Sequence, residues 1–176
     1  MGYKAMTLLN QEKLVAILRH GFKNPTGVIA EVGVFNGGCT GILSDNFLDT
    51  KIYAYDTFEG MPESCWVKEE HHNVGEFKPE LDVIKMLNNR KNVIVRKGIF
   101  PESLGDETNF WLVHLDVDFY VSTLNSLKVL KDRMAKGGAI FLDDWDWPHC
   151  PGVRKAAEEL GFKPVQTVEH QAVINF

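Results

Sequence analysis

The sequence has few cysteines, no basic block and no long apolar run, and each absence excludes a class of protein. Its 176 residues include three cysteines, and none of them forms a CxxC pair. A disulfide framework and a zinc ribbon are therefore not expected. The longest apolar runs, such as 28–30 and 139–142, are far shorter than the roughly 18 residues of a membrane helix.

Charge and the N-terminal residues narrow the class further. Lysine and arginine number 19 against 24 aspartates and glutamates, which gives a net charge of −5. An acidic chain without a basic block is a poor candidate for nucleic-acid binding. The first residues, MGYKAMTLLNQEK, contain no continuous apolar stretch, so no secretory signal is predicted. We expect a cytoplasmic protein with neither a membrane nor a nucleic acid as its partner.

Helical and strand patterns alternate along the chain. Strands are predicted at 27–32, 51–56, 92–96, 110–116, 139–142, 162–168 and 170–175, and helices at 7–20, 37–48, 79–89, 121–133 and 152–160. This alternation predicts one α/β domain over 1–176, with a mostly parallel, doubly wound, seven-stranded sheet. The last two strands have no helix between them, which predicts an antiparallel C-terminal edge strand. Residues 1–26 are expected to form a helical segment, and residues 57–78 an active-site loop.

The first predicted strand ends in a glycine-rich segment, EVGVFNGG at 31–38. Glycines let backbone amides approach a ligand and let the next helix pack closely. Phe35 stands at the middle glycine of a GxGxxG pattern, which argues against a dinucleotide site. Asp56 ends the second strand, where an acidic side chain suits the hydroxyls of a ribose. Taken alone, the glycine segment is compatible with a ligand site and with a ligand-free turn.

Acidic residues follow the fourth and fifth predicted strands, namely Asp116, Asp143 and Asp144. The carboxyl ends of neighbouring parallel strands meet at one edge of a sheet, so these side chains are expected to be neighbours. Two carboxylates about 4 Å apart repel by ~4 kcal/mol at an effective dielectric near 20, so protonation, a basic partner or a cation must offset them. Oxygen ligands favour a hard divalent ion such as Mg²⁺. The alternative is that Asp143 caps the next segment and Asp144 is solvated.

Three nearby residues have less specific signals. We interpret Asp118 as orienting the local backbone, and His114, in mid-strand, as a packed histidine with a hydrogen-bond partner. His149 follows the paired aspartates. It is interpreted either as a substrate contact or alternative base, or as a histidine of a surface loop.

Four segments together resemble the macrocin-O-methyltransferase-like (TylF/MycF-type) family. They are 31–38, 55–62 (YDTFEGMP), 115–123 (LDVDFYVST) and 137–144 (GGAIFLDD). The resemblance runs from about residue 27 to residue 160. It implies a Rossmann-like class I methyltransferase fold. It also implies S-adenosylmethionine- and magnesium-dependent methylation of a hydroxyl on a small molecule, such as a sugar or a phenolic natural product.

The resemblance also implies roles for individual positions. The residues expected to contact S-adenosylmethionine are Glu31, Gly33, Phe35, Gly37, Asp56, Thr57, Gly98, Phe100 and Asp116. The expected metal ligands are Asp116, Asp143 and Asp144. Asp116 is also the expected general base, with His149 as the other catalytic candidate. Family members usually carry longer N-terminal elements that cover the active site, and here about 26 residues precede the first strand.

Two alternatives to an active methyltransferase stay open on the sequence. The short N-terminal segment is compatible with a methyltransferase fold that binds cofactor without turnover. The second alternative is a nucleotide-dependent oxidoreductase, although Phe35 argues against a dinucleotide site. The length of the chain is compatible with a homodimer.

Overall fold

The computed structural model describes residues 8–23, 27–68, 70–79 and 82–176. The helices are α1 (Gln11–Gly21), α2 (Gly38–Asn46), α3 (Val83–Asn88), α4 (Tyr120–Leu130) and α5 (Pro151–Glu159). The strands are β1 (Val28–Val32), β2 (Ile52–Asp56), β3 (Val93–Lys97), β4 (Phe110–Leu115), β5 (Met134–Asp143), β6 (Val165–Val168) and β7 (Gln171–Asn175). A short 3₁₀ helix, Glu63–Cys65, lies in the long loop after β2.

The seven strands form one sheet in the order β3-β2-β1-β4-β5-β7-β6. The pairs among β1 to β5 are parallel, and β7 runs antiparallel to both β5 and β6. The strand order reverses at β1, so the crevice between β1 and β4 is where a doubly wound sheet binds its ligands. The predicted parallel sheet with an antiparallel C-terminal strand is confirmed, and β6 lies outside that strand at the edge.

Each face of the sheet packs against its own set of helices. Residues from α1, α2 and α3, including Ile17, Leu43 and Leu87, bury one face. Residues from α4 and α5, including Leu127 and Val153, bury the other. Because both faces of the sheet are buried, the sequences of β1 and β4 are almost continuously apolar.

Local signals explain where the helices begin. The side chain of Asn10 caps α1 by accepting a hydrogen bond from the Lys13 amide at 2.9 Å. The side chain of Asp82 caps α3 in the same way, from the Lys85 amide at 3.0 Å. A short polar side chain that accepts such a bond satisfies an amide that has no partner within the helix.

Two predicted boundaries were wrong. The helix predicted from Pro79 begins at Val83, because the cap is Asp82 and not the proline, and residues 80–81 lie outside the described part. The helix predicted over 121–133 ends at Leu130, and the glycines that follow it, Gly137 and Gly138, belong to β5. Strand pairing with β4 and β7 outweighs the local preference of glycine there.

None of the helices in the described ranges has the length and apolar character needed to cross a bilayer. Two backbone hydrogen bonds close the base of the predicted loop 57–78. The Met61 amide donates to the Glu76 carbonyl at 2.8 Å, and the Gly75 amide donates to the Met61 carbonyl at 2.9 Å.

Candidate active site

A cavity of about 410 Å³ opens at the carboxyl ends of the parallel strands. Most of the residues that the sequence predicted for the site line it. They are Glu31, Gly33, Phe35, Asp56, Thr57, Gly98, Phe100, Asp116, Asp143 and Asp144. Met61, Pro62 and Phe77 add a wall from the loop after β2. The fold therefore brings the glycine segment and the acidic residues into one enclosure.

Gly33 lets the ends of β1 and β4 approach each other. Its φ is 91°, and a Cβ atom at this position would collide with the carbonyl oxygen of Asp116. The Gly33 amide donates to the Tyr55 carbonyl, and the Asp116 amide donates to the Val32 carbonyl, each at 2.9 Å. Glycine is required here because both the left-handed backbone and the close approach exclude a side chain.

The Asp56 carboxylate organises the glycine segment. Its Oδ2 accepts hydrogen bonds from the amides of Val34 at 2.7 Å and Phe35 at 2.9 Å, and its Oδ1 accepts one from Phe58 at 2.6 Å. Phe35 has a φ of 49°, a conformation that costs a non-glycine residue about 1–3 kcal/mol and needs support from its surroundings. Burial raises the pKa of Asp56, and the three amide donors oppose that rise. A carboxylate has roughly four lone-pair sites, so Asp56 keeps capacity for a further donor.

A buried polar network lies beneath the acidic residues. Glu31 accepts a hydrogen bond from the Thr40 hydroxyl, and its Oε1 is 3.2 Å from Nδ1 of His114. Burial by itself lowers the pKa of His114. The Glu31 hydrogen bond and the carboxylates of Asp116 and Asp143 outweigh burial and raise this pKa to about 9. His114 is thus a packed histidine with a hydrogen-bond partner, as predicted, and it is positively charged at neutral pH.

Three carboxylates meet above this network. Asp116, Asp118 and Asp144 each place one oxygen within 4.8 Å of the others. Burial is the main cause that raises the pKa of Asp116 and of Asp118, and neighbouring carboxylates add to it. Asp118 was interpreted from the sequence as orienting the local backbone. Its φ of 53° turns the chain just beyond β4, and its carboxylate also joins the cluster.

Asp143 belongs to an adjoining group. One of its oxygens lies within 4.8 Å of ligand atoms of His114 and Asp116. Its Oδ1 is also 2.5 Å from Nζ of Lys13. Burial raises the pKa of Asp143, while His114 and Lys13 oppose the rise. Asp116 is a member of both groups, and it therefore lies close to each of the other two predicted metal ligands, Asp143 and Asp144.

The donor set fits a hard divalent cation. Asp116, Asp118 and Asp144 offer oxygen atoms alone, which is the ligand chemistry of Mg²⁺, Mn²⁺ and Ca²⁺. A cation would also relieve the repulsion among these carboxylates. His114 lies beside Asp116 and Asp143 and pairs with Glu31, and it is not part of this oxygen-only set.

Two of the predicted site residues, Gly37 and His149, are not part of the cavity lining found among the described residues. Gly37 is the N-cap of α2, with a φ of 77°, and shapes the turn into that helix. His149 is exposed, and its ring centroid lies 4.0 Å from that of His71 and 5.4 Å from that of Trp147. Its interpretation as a surface-loop histidine matches this position better than a role as base.

Lys13 is a site residue that sequence reasoning missed. It lies on the buried face of α1 together with Leu14 and Ile17, and it lines the cavity. Leu8 and Leu9 line the cavity from the same N-terminal segment. A lysine on the apolar face of a helix was the available signal, because lysine is almost never buried without a partner.

The comparisons with known proteins agree with this geometry. The family described as macrocin-O-methyltransferase (TylF) matches residues 6–173. The 8-demethyl-8-(2,3-dimethoxy-alpha-L-rhamnosyl)-tetracenomycin-C 4'-O-methyltransferase of Streptomyces olivaceus is 29% identical over 143 residues, which are 70% of this chain. Those residues cover 55% of that protein, so the chain spans about half the length of this curated relative.

Two solved structures share the fold. The O-methyltransferase NovP superposes with a TM-score of 0.82 and 19% identity, covering 97% of this chain and 81% of its own. The calicheamicin methyltransferase CalS11 superposes with a TM-score of 0.78 and 20% identity, covering 93% of this chain and 77% of its own. The predicted Rossmann-like methyltransferase fold is confirmed by these two structures.

Replacing Asp56 with alanine tests its organising role. Three amides lose a charged acceptor, so we expect the free energy of unfolding to fall by about 2–4 kcal/mol without any ligand present. Urea denaturation measures this fall. The control is Asp45→Ala, which removes an exposed carboxylate 2.8 Å from Arg90 and is expected to cost less than about 1 kcal/mol. Equal losses in the two variants would contradict the organising role.

Proposed function

The chain belongs to the macrocin O-methyltransferase (TylF) family, and from that premise we propose that it methylates a hydroxyl of a small molecule. S-adenosylmethionine is the proposed donor, and a divalent cation such as Mg²⁺ is the proposed metal. The observation that carries the proposal is the convergence of the glycine segment and the aspartate cluster on one cavity. In this proposal the glycine segment binds the cofactor, and the aspartate cluster next to it holds the acceptor oxygen.

The cofactor half is formed by the ends of β1, β2 and β3. Glu31, Gly33 and Phe35 are proposed to border the methionine part, with Gly37 setting the turn. Asp56 and Thr57 are proposed to receive the ribose, for which Asp56 keeps an open lone pair beside its three amide bonds. The remaining cofactor contacts are proposed to come from Gly98, Phe100 and Asp116, which line the same cavity.

The acceptor half is formed by the ends of β4 and β5. Asp116, Asp143 and Asp144 are the proposed metal ligands. Asp118 is proposed as a fourth ligand, because its carboxylate lies within 4.8 Å of those of Asp116 and Asp144. When bound, the cofactor supplies an electrophilic methyl group, and the divalent ion supplies charge that orients the acceptor and lowers the pKa of its hydroxyl.

Asp116 is the proposed general base. Burial, with Asp143 and Asp118 nearby, raises the pKa of its carboxyl group, and this makes it a stronger base than an exposed carboxylate. A carboxylate oxygen of Asp116 accepts the proton of the acceptor hydroxyl as the methyl group is transferred. We assign this role to Asp116 alone, because His149 is exposed and packs against His71.

A sugar or phenolic ring is the proposed acceptor. Leu8, Leu9, Phe77 and Trp147 give the cavity apolar and aromatic surface next to its acidic end. Such a wall packs against the face of a ring, while polar groups fix its hydroxyls. The relative from Streptomyces olivaceus is named for O-methylation of a rhamnosyl compound, and this supports a glycoside as the first acceptor to test.

Calorimetric titration of the wild-type chain tests the cofactor class. We expect S-adenosylhomocysteine to bind with a micromolar Kd, and the same affinity within about threefold with and without Mg²⁺, because Asp116 alone is shared between the proposed cofactor contacts and the proposed metal ligands. NAD⁺ is the control and is expected to give no heat of binding. Preference for NAD⁺ would contradict the proposal in favour of an oxidoreductase.

Asp116→Asn separates chemistry from cofactor binding. We expect methyl transfer to rhamnosides or phenols, assayed with labelled cofactor and Mg²⁺, to fall about 10²–10⁴-fold. S-adenosylhomocysteine affinity should fall far less than transfer does, because asparagine keeps the shape of the side chain and Asp116 is one of nine proposed cofactor contacts. Asp146→Asn is the matched control, since Asp146 is exposed and pairs with His170 at 2.7 Å. Transfer by Asp116→Asn within tenfold of wild type would rule out Asp116 as the base.

A further inference from the structure

Lys13 is a buried cation aimed at the acidic end of the cavity. Its side chain is 10% exposed, and its Nζ lies 2.5 Å from Oδ1 of Asp143 and 3.9 Å from Oδ1 of Asp144. Burying an ammonium group is costly unless it is paired. The position of Lys13 is therefore explained by these two carboxylates.

The helix that carries Lys13 is anchored independently of this ion pair. Asn10 caps α1, and Leu14 and Ile17 bury its apolar face against the sheet. The side chain of Gln171 also reaches the Lys13 carbonyl oxygen at 3.5 Å. These contacts keep the helix folded when the flexible lysine side chain leaves Asp143. The ion pair still helps to fix the first turns of α1, so its loss is expected to loosen them without unfolding the helix.

Asp143 and Asp144 are also two of the four proposed metal ligands. An ammonium group 2.5 Å from Oδ1 of Asp143 neutralises much of the charge of this carboxylate, so the carboxylate attracts a metal ion less strongly than a free one does. A divalent ion at these carboxylates would also repel the ammonium group, since like charges in a buried site are poorly screened. Lys13 and the metal therefore draw on the same negative charge.

We propose that Lys13 is a built-in counter-cation that competes with the divalent ion for Asp143. In the metal-free chain it neutralises this carboxylate, and metal binding displaces its Nζ into the cavity. The N-terminal helix is thereby coupled to metal occupancy, and it contributes a charged group to the acceptor half of the site. This inference rests on the metal-dependent part of the proposed function.

The first test measures Mn²⁺ affinity in the full chain, from the electron paramagnetic resonance signal of free Mn²⁺. Lys13→Met keeps the length of the side chain and removes the competing charge, so we expect its Kd for Mn²⁺ to be at least tenfold lower than that of wild type. Lys128→Met is the matched control. It removes an exposed lysine from the last turn of α4 and changes the net charge equally, so its Kd should stay within twofold. Lys13→Arg keeps the charge and should bind no more tightly than wild type.

Equal Mn²⁺ affinities for Lys13→Met and wild type would overturn the inference and leave the metal site standing. If neither protein binds Mn²⁺, both the inference and the metal part of the proposed function fall. The cofactor part would still be judged by S-adenosylhomocysteine binding.

A second measurement needs no variant and stands if Lys13→Met does not fold. Amide hydrogen exchange of the wild-type chain is compared in EDTA and in saturating Mg²⁺. Loss of the Lys13–Asp143 pair predicts at least threefold faster exchange in the first turns of α1, with α5 unchanged as the internal control. Unchanged or slower exchange in α1 would overturn the competition.

Discussion

The burial of several carboxylates at one edge of the sheet is the constraint on which the rest of the site depends. Asp116, Asp118, Asp143 and Asp144 gather where β4 and β5 end, and burial raises the pKa of the first three. Such a cluster persists only if protonation or positive charge offsets its repulsion. Two basic groups among the described residues lie against it, His114 in β4 and Lys13 in α1.

The glycine segment follows from the same constraint. Gly33 allows β1 to come so close to β4 that the Asp116 carbonyl lies against its α-carbon. Asp56 then holds the following turn through the amides of Val34 and Phe35. The glycine segment and the aspartate cluster are therefore joined through the backbone contacts of β1 with β4, and the position of Asp116 depends on the backbone of β1.

The sequence was sufficient to predict the sheet and most of the cavity, because strand ends in a parallel sheet meet at one edge and the motifs lie at those ends. It was not sufficient for Lys13, whose partner is 130 positions away and whose role depends on how α1 packs. Asp118 was not counted among the metal ligands, because the sequence alone does not show that its carboxylate lies beside those of Asp116 and Asp144. The start of α3 was misplaced because a capping aspartate outweighed a proline.

The central claim is that one cavity holds the cofactor at the glycine segment and a divalent ion at the aspartates. A crystal structure of the wild-type chain grown with S-adenosylhomocysteine and Mn²⁺, with anomalous data collected for manganese, tests this most directly. The account predicts cofactor density beside Gly33 and Asp56, and an anomalous peak in contact with the Asp116 carboxylate. Cofactor density outside this cavity, or a manganese peak remote from Asp116, would contradict it.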